Sequence, residues 1–284
     1  MTATGQPPAI GIVAGAGGLP AVAARALADA GHAVVAVGFE GVTDGSLEAG
    51  VTSFRWLRLG QLEALAATLQ ALGATRLLLV GKVSKTLLFA AEGLVDLDAE
   101  AMRLLQSGSD RGDDALLGVL ADWLSARGFE LCDQGDVLAG LRAPVGVLTR
   151  IAPDARALGD LELGRPVLRA LGRVGVGQCL VMKGGAVLAV EAIEGTDETI
   201  RRGGRLGGAG VTVIKAARPG QDRRFDLPVV GPDTIATLGE VGARALAVEA
   251  GSVLLLEGPA VVEEADRRGI AIWGFEAAVE EDNG

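Results

Sequence analysis

The stretch "RRFDLPVVGPDT", residues 223–234, sets one carboxylate, Asp226, behind two guanidinium groups and a phenylalanine. An aspartate at the start of a strand is ordinarily a turn former. Here, however, Lys215 ends the preceding apolar run "VTVIK", and Arg218, Arg223 and Arg224 lie on the loop between. If these ends fold together, cations sit beside a carboxylate. Phosphoryl chemistry uses that arrangement: cations neutralise developing charge while a carboxylate holds a metal ion or orients water.

Other groups could serve the same chemistry. "GAGGLP", Gly15–Pro20, follows a first apolar run, and glycines there let backbone approach a phosphate at a helix N-terminus. The match to Gly-x-Gly-x-x-Gly is incomplete because Pro20 takes the third glycine position, and the same residues also suit a plain strand-to-helix turn. Glu40, ending the second apolar run, would suit a ribose hydroxyl, which keeps a NAD(P)-dependent oxidoreductase as an alternative. The chain has only four lysines, Lys82, Lys85, Lys183 and Lys215, and three of them end or closely follow apolar runs. Strand ends are where open α/β sheets bind ligands, and an ammonium is a compact phosphate partner. "VEAIEGTDET" concentrates Glu191, Glu194, Asp197 and Glu198; helix capping accounts for Asp197 and Glu198 but not for Glu194. Asp113 and Asp114 read as first-turn helix acids, and His32 as structural.

The totals exclude several chemistries. The 284 residues contain no Tyr and one His, which removes a Tyr-Lys dehydrogenase pair, a Ser-His-Asp triad and a multi-His zinc site. Acid–base and metal-ligating work therefore falls mainly to Asp and Glu. A net charge of −10 argues against a broad nucleic-acid-binding face. "MTATGQPPAI" has neither a basic nor an apolar signal region, so no signal peptide is expected, and charges interrupt every long apolar stretch. Cys132 and Cys179 lie in apolar runs without Cys-x-x-Cys spacing and read as buried free thiols.

The elements that must position these groups alternate. Apolar runs at "AIGIVAGAG", "HAVVAVGFE", "TSFRWLRL", "RLLLVGKVSK" and "FELCD" read as strands, separated by helical patterns from Pro20, at "QLEALAATLQALG" and at "GDDALLGVLADWLSARG". Strands alternating with helices predict a parallel doubly wound sheet. Residues 134–152 read as linker plus strand. Beyond them come a helix from Pro153 towards Leu171, a Gly-Gly hairpin in "QCLVMKGGAVLAVEAIEG", and a helix at 197–206. Then follow strands "VTVIKAAR" and "FDLPVVG", a helix at 232–242, a second hairpin in "ALAVEAGSVLLLEG", a helix at 259–268, and the strand "IAIWGFE".

Taken together, "GIVAGAGGLP", "GKVSK", "RGDDALL", "GQCLVMKGGAVLAVEAIEGTDETIRR", "VIKAARPGQDRRFDLPVVGPDTI" and "ADRRGIAIWG" resemble the LpxI-type UDP-2,3-diacylglucosamine pyrophosphatases of lipid A biosynthesis, over nearly the whole chain. The resemblance implies an α/β protein of two domains, a Rossmann-like N-terminal one and a distinctive C-terminal catalytic one; the change in element pattern places a Rossmann-like parallel sheet over residues 7–135, a linker at 136–150, and a C-terminal mixed α/β domain with hairpins over 151–280. It implies hydrolysis of the pyrophosphate of UDP-2,3-diacylglucosamine to lipid X and UMP, with water attacking the β-phosphorus, a divalent cation such as Mg2+, and the substrate held between the domains. The family's essential aspartate falls on Asp226, which is also the expected metal ligand. The expected substrate-binding set is Gly15, Gly17, Gly18, Gly81, Lys82, Gln178, Lys183, Glu194, Gly195, Thr196 and Lys215. Gly81-Lys82-Val83-Ser84 departs from the family's Gly-Asn-Val-Ser. The implied setting is the cytoplasm of a Gram-negative bacterium, with peripheral contact at the inner membrane, a homo-oligomer, and no nucleic-acid partner. A non-catalytic nucleotide-sugar or lipid carrier is the other alternative.

Overall fold

A computed structural model describes residues 9–82, 96–107 and 113–277, apart from the side chains of residues 107 and 113–116. The chain divides into two compact units. One comprises the described residues up to Leu138 together with Asp222–Asp226; the other comprises Ala139–Gln221 and the residues from Leu227 on.

The first unit runs β1 (Ala9–Ala14), α1 (Leu19–Asp29), β2 (Val34–Phe39), β3 (Ser53–Leu57), α2 (Leu62–Ala71), β4 (Ala74–Val80), α3 (Ala99–Ser107), α4 (Asp113–Ala126), β5 (Glu130–Leu131) and the single turn α5 (Gln134–Val137). Its sheet has the order β3-β2-β1-β4-β5, and every pairing is parallel. β1, β2 and β4 are almost continuously apolar because helices cover both faces of a parallel sheet. Val37, Leu77 and Leu79 pack with Leu65 and Leu69 of α2 and Leu124 of α4. The doubly wound sheet is as expected. Helix α3 was not anticipated: its sequence, "AEAMRLLQS", is short and offers only a narrow apolar stripe.

The second unit runs β6 (Gly146–Val147), α6 (Ala155–Arg173), β7 (Cys179–Lys183), β8 (Ala186–Val190), α7 (Thr196–Gly207), β9 (Thr212–Lys215), β10 (Val229–Val230), α8 (Pro232–Glu240), β11 (Ala245–Glu249), β12 (Leu254–Leu255), α9 (Gly258–Arg268) and β13 (Ala271–Phe275). Its main sheet is mixed, in the order β6-β13-β11-β9-β7-β8. Side chains alternate across it. Val181, Val213, Leu246 and Ile272 meet Ile200, Leu238 and Val261 on one face. Leu180, Ile214, Ala247 and Trp273 meet Ala157, Leu161 and Leu168 of α6 on the other. The second and third residues of each of these strands thus bury in opposite layers, which explains why strands flanked by helices on both sides read as apolar throughout.

The Gly184-Gly185 hairpin forms as expected, with β7 and β8 antiparallel. The second expected hairpin does not. β12 leaves β11 and pairs in parallel with β10 in a separate two-stranded ribbon. The Gly251 turn suggested a hairpin, but β11 is already paired on both sides, with β9 and β13, so β12 has no free edge to join. "FDLPVVG" contributes only Val229 and Val230 to a strand, and Asp226 sits in a turn ahead of it. Among the described residues no helix is long and apolar enough to cross a membrane.

Candidate functional site

In the first unit, Gly15, Gly17, Gly18, Gly81 and Lys82 lie together at the carboxyl ends of β1 and β4, where a parallel sheet presents its ligand crevice. The two loops are stitched to each other. Gly15 N–H donates to the Val80 carbonyl at 2.7 Å, and Ala16 and Lys82 exchange backbone hydrogen bonds of 2.8 and 3.0 Å. That approach is why glycine stands at both places. A Cβ on Gly15 would lie 2.7 Å from the Gly81 carbonyl carbon, and a Cβ on Gly81 would lie 2.7 Å from that of Gly15, at a φ of +93°. Gly18 precedes α1, and no side chain caps this helix end. Helix N-termini of this kind suit an anion in general, although Pro20 has no N–H to offer and Val22 N–H is taken by the Gly18 carbonyl at 3.3 Å. Glu40 ion-pairs with Arg58 at 3.6 Å. Val83, Ser84 and Lys85 lie outside the described residues. Below the glycine loops is an apolar cavity of about 100 Å³, lined among others by Gly15, Leu59, Leu79, Gly81, Leu104 and Phe225.

Asp226 belongs to this unit, as the last residue of a compact turn. The Phe225 and Asp226 N–H groups donate to the Asp222 carbonyl at 3.4 and 3.1 Å. The Asp222 carboxylate takes bonds from the Arg224 backbone N–H and from Nε and Nη2 of its guanidinium, at 2.6 to 3.1 Å. The Arg224 guanidinium thereby holds the Asp222 carboxyl below the usual carboxylate range. Arg223 pairs with Asp133 at 3.0 Å and with Asp136 at 4.0 Å. Its carbonyl accepts from Gln134 N–H at 2.9 Å. Gln134, almost wholly buried, also donates through its side chain to the Leu79 carbonyl at 2.6 Å. β5 ends at Leu131, so the Gln134 amide takes over the edge of β4 where strand pairing stops.

In the second unit β8, β9, β11 and β13 all end at one rim, and β7 begins there. Gln178, Glu191, Glu194, Gly195, Thr196, Lys215 and Glu249 gather at that rim. Lys215 is 3% exposed, and its Nζ donates to Thr196 Oγ1 at 2.6 Å. Thr196 in turn donates to Glu191 Oε1 at 3.0 Å, and Glu191 Oε2 accepts from Gln178 N–H at 3.1 Å. A buried cation and a buried carboxylate are thus joined through one hydroxyl. Gly195 enters α7 at a φ of +82°, which turns the chain so that Thr196 faces inward at the head of the helix. Cys179 lies beside this chain; burial pushes its thiol pKa up and the Glu191 charge adds to the shift, so it is inert as a nucleophile. Asp197 accepts from Thr234 at 3.2 Å, and Glu249 from Ala217 N–H at 3.2 Å.

Glu194 and Lys183 are held by contacts outside the Lys215–Thr196–Glu191 chain. Glu194 accepts from Ala192 N–H at 3.1 Å and is bonded by Arg202. Its own backbone N–H and the Arg202 guanidinium hold its carboxyl below the usual range. Lys183 ends β7, which runs against β9, so it lies at the rim opposite Lys215. It donates to the Gly207 and Ala209 carbonyls at 2.6 and 2.8 Å, closing the C-terminus of α7. Glu191 and Glu249 are absent from the expected set, yet the sequence carried a signal for them. "LAVEA" occurs twice, at 188–192 and 246–250, and places a glutamate at a strand end of this rim each time: Glu191 directly follows β8 and Glu249 ends β11. Among the described residues no three His, Cys, Asp or Glu side chains cluster as a metal site.

Comparison with known proteins gives a consistent picture along the chain. Residues 9–141 match the LpxI N-terminal domain, and residues 144–273 match the LpxI C-terminal domain. The UDP-2,3-diacylglucosamine pyrophosphatase LpxI of Caulobacter vibrioides is 31% identical over 279 residues, covering 94% of this chain and 97% of that protein. Among solved structures, the glycinamide-RNase-transformylase T of Mycobacterium tuberculosis aligns at 15% identity and a TM-score of 0.23, over 63% of this chain and 42% of its own. A biotin carboxylase complex from Campylobacter jejuni aligns at 9% identity and a TM-score of 0.23, over 70% and 42%. Both likenesses are too distant to carry any argument.

Proposed function

The chain belongs to the LpxI family, and from that premise we propose that it hydrolyses the pyrophosphate of UDP-2,3-diacylglucosamine to lipid X and UMP in the cytoplasm, with a divalent cation and with residues of both units engaging the substrate. The observation that carries this reading is the match to both domains, in order, together with a relative of that name aligned over 94% of the chain. The geometry supports it. Asp226 is presented on a hydrogen-bonded turn, and the acid–base inventory is otherwise carboxylates and lysines.

In this reading Asp226 orients the attacking water or holds the cation. Backbone N–H groups of the uncapped N-terminus of α1 and of the glycine loops donate to phosphate oxygens, and Lys215, held by Thr196, supplies positive charge at the rim of the second sheet. The cation, when bound on the pyrophosphate, neutralises charge on the phosphate oxygens. Water attacks the β-phosphorus, the bond from that phosphorus to the bridging oxygen breaks, and UMP leaves with that oxygen. Hydrolysis in 18O-labelled water tests the scheme: one labelled oxygen is expected in lipid X and none in UMP. Label in UMP would overturn the direction of attack, and no UMP release with Mg2+ and detergent would overturn the function.

A further inference from the structure

The turn that carries Asp226 is five residues long, and both flanking residues, Gln221 and Leu227, belong to the second unit, while the turn itself belongs to the first. Its attachments are specific. Phe225 is 7% exposed and packs in the core cluster of the first sheet with Val13, Leu79 and Trp123. Arg223 pairs with Asp133, whose other carboxylate oxygen caps α5 through Asp136 N–H at 3.2 Å. Arg224 reaches Asp122 of α4 at 3.6 Å, and its guanidinium lies 5.7 Å over the Phe225 ring. Gln134 holds the Arg223 carbonyl with its N–H and the end of β4 with its side chain.

We propose that Phe225 and Arg223 are positioning residues for the reaction: they lock the Asp226 turn to the first unit and so set where the carboxylate points, without themselves touching the reacting atoms. This rests on the reading of Asp226 as the carboxylate of the reaction. An aromatic ring buried in the core cluster directly before the aspartate ties this point of the backbone to the first sheet, and so restricts where the next residue can lie. The turn's internal bonds to Asp222 hold its shape, and Phe225 with the Arg223–Asp133 pair holds its place. A carboxylate displaced by about 1 Å would cost up to about 100-fold in rate.

The test measures kcat and KM for UMP release by the full-length protein, alongside melting temperatures, all below the lowest melting point. Phe225→Ala is expected to lower kcat on the order of 10- to 100-fold with KM changed little. Phe225→Leu, which keeps an apolar plug, should recover most of that loss. Phe129→Leu, in the same core cluster but distant in sequence from the turn, serves as the stability control and should leave kcat near wild type despite a lower melting temperature. Should Phe225→Ala not fold, the exposed pair decides. Arg223→Ala and Asp133→Asn should each lower kcat severalfold, and the double variant should be no worse than either single one. Asparagine keeps the oxygen that caps α5, so the helix is undisturbed. Unchanged kcat in Phe225→Ala and Arg223→Ala, or an equal loss in Phe129→Leu, would overturn the inference. Asp226→Asn in the same panel separates the two failures: if it retains turnover, the reading of Asp226 is wrong; if it is inactive while the anchor variants are not, only the anchoring is wrong.

Discussion

Thr196→Val is the sharpest probe of the second unit. The substitution is nearly isosteric and removes one hydroxyl, the one that accepts from Lys215 at 2.6 Å and donates to Glu191 at 3.0 Å. Both partners are charged residues with under a tenth of their surface exposed, so neither recovers its lost bond from bulk water. Hydrogen bonds to charged groups contribute about 1.5–3 kcal/mol each, which puts the pair at roughly 3–6 kcal/mol. Closer approach of ammonium and carboxylate after the change offsets part of this, leaving about 3 kcal/mol. For a unit of this size that corresponds to a fall in melting temperature of roughly 10 °C. Trp273, 5% exposed in β13, reports on this unit once Trp56 and Trp123 of the other are replaced by phenylalanine. Thr196→Ser, which keeps the hydroxyl, should melt within a few degrees of the parent. A Thr196→Val variant that melts with the parent, or a Thr196→Ser variant that falls as far as valine, would refute the hydroxyl bridge.

Asp226→Asn should lower turnover on the order of 10²- to 10⁴-fold without a fall in melting temperature, as measured by UMP release and thermal melting. Gly81→Ala should cost at least about 2 kcal/mol, because a φ of +93° and a contact of 2.7 Å to Gly15 backbone both resist a side chain; soluble yield and melting temperature check this. Asp222 has its folded pKa depressed below 3.8, so its stabilising contribution is full above that value and is lost as pH falls through the lower folded one. The gap in melting temperature between wild type and Asp222→Asn should therefore hold constant from pH 8 to pH 5 and close below about pH 4. Lys183→Met removes two bonds to the terminal carbonyls of α7 and should lower the melting temperature by about 1 kcal/mol equivalent in the same assay.

Local pattern reveals much of this architecture. Buried strands such as "GIVA" and "LLLV" and helices bounded by Gly31, Gly73 and Gly128 announce themselves because both faces or one stripe must be apolar. What local pattern cannot show is pairing between distant segments. "SVLLLEG" has the composition of a hairpin return, yet β11 is flanked on both sides and β12 joins β10 instead. Strand-end lysines look alike in one dimension, but antiparallel β7 and β9 send Lys183 and Lys215 to opposite rims. The Asp226 turn is the clearest limit. Nothing in five residues with a single phenylalanine tells which of two cores that ring enters.

The charge economy of the chain bears on where chemistry can occur. Arginines outnumber lysines heavily, and several described arginines tie elements together: Arg201 joins Glu240 and Thr237, Arg244 joins Asp154, and Arg150 joins Asp266. The planar fork suits that use, since it holds a carboxylate with two parallel bonds. Among the described residues the buried charged side chains are Asp160, Glu191 and Lys215. Asp160 accepts from Gly185 N–H at 2.7 Å and Thr212 Oγ1 at 2.9 Å, neutral donors that fasten the β7–β8 hairpin and β9 to α6. That carboxylate has a structural purpose complete in itself. Lys215 differs. It stands at the carboxyl rim, between the ends of β11 and the start of β7, and Thr196 takes one of its three donors. A lysine held there, short of a direct pair with Glu191, keeps a positive charge oriented toward the rim at a cost in desolvation that a purely structural site would avoid with an apolar residue of similar length. Lys215→Met separates the two roles. If the ammonium serves structure alone, the variant should be as stable as the parent or less so, with turnover unchanged. If it serves the substrate, stability should hold or rise while KM for UDP-2,3-diacylglucosamine increases.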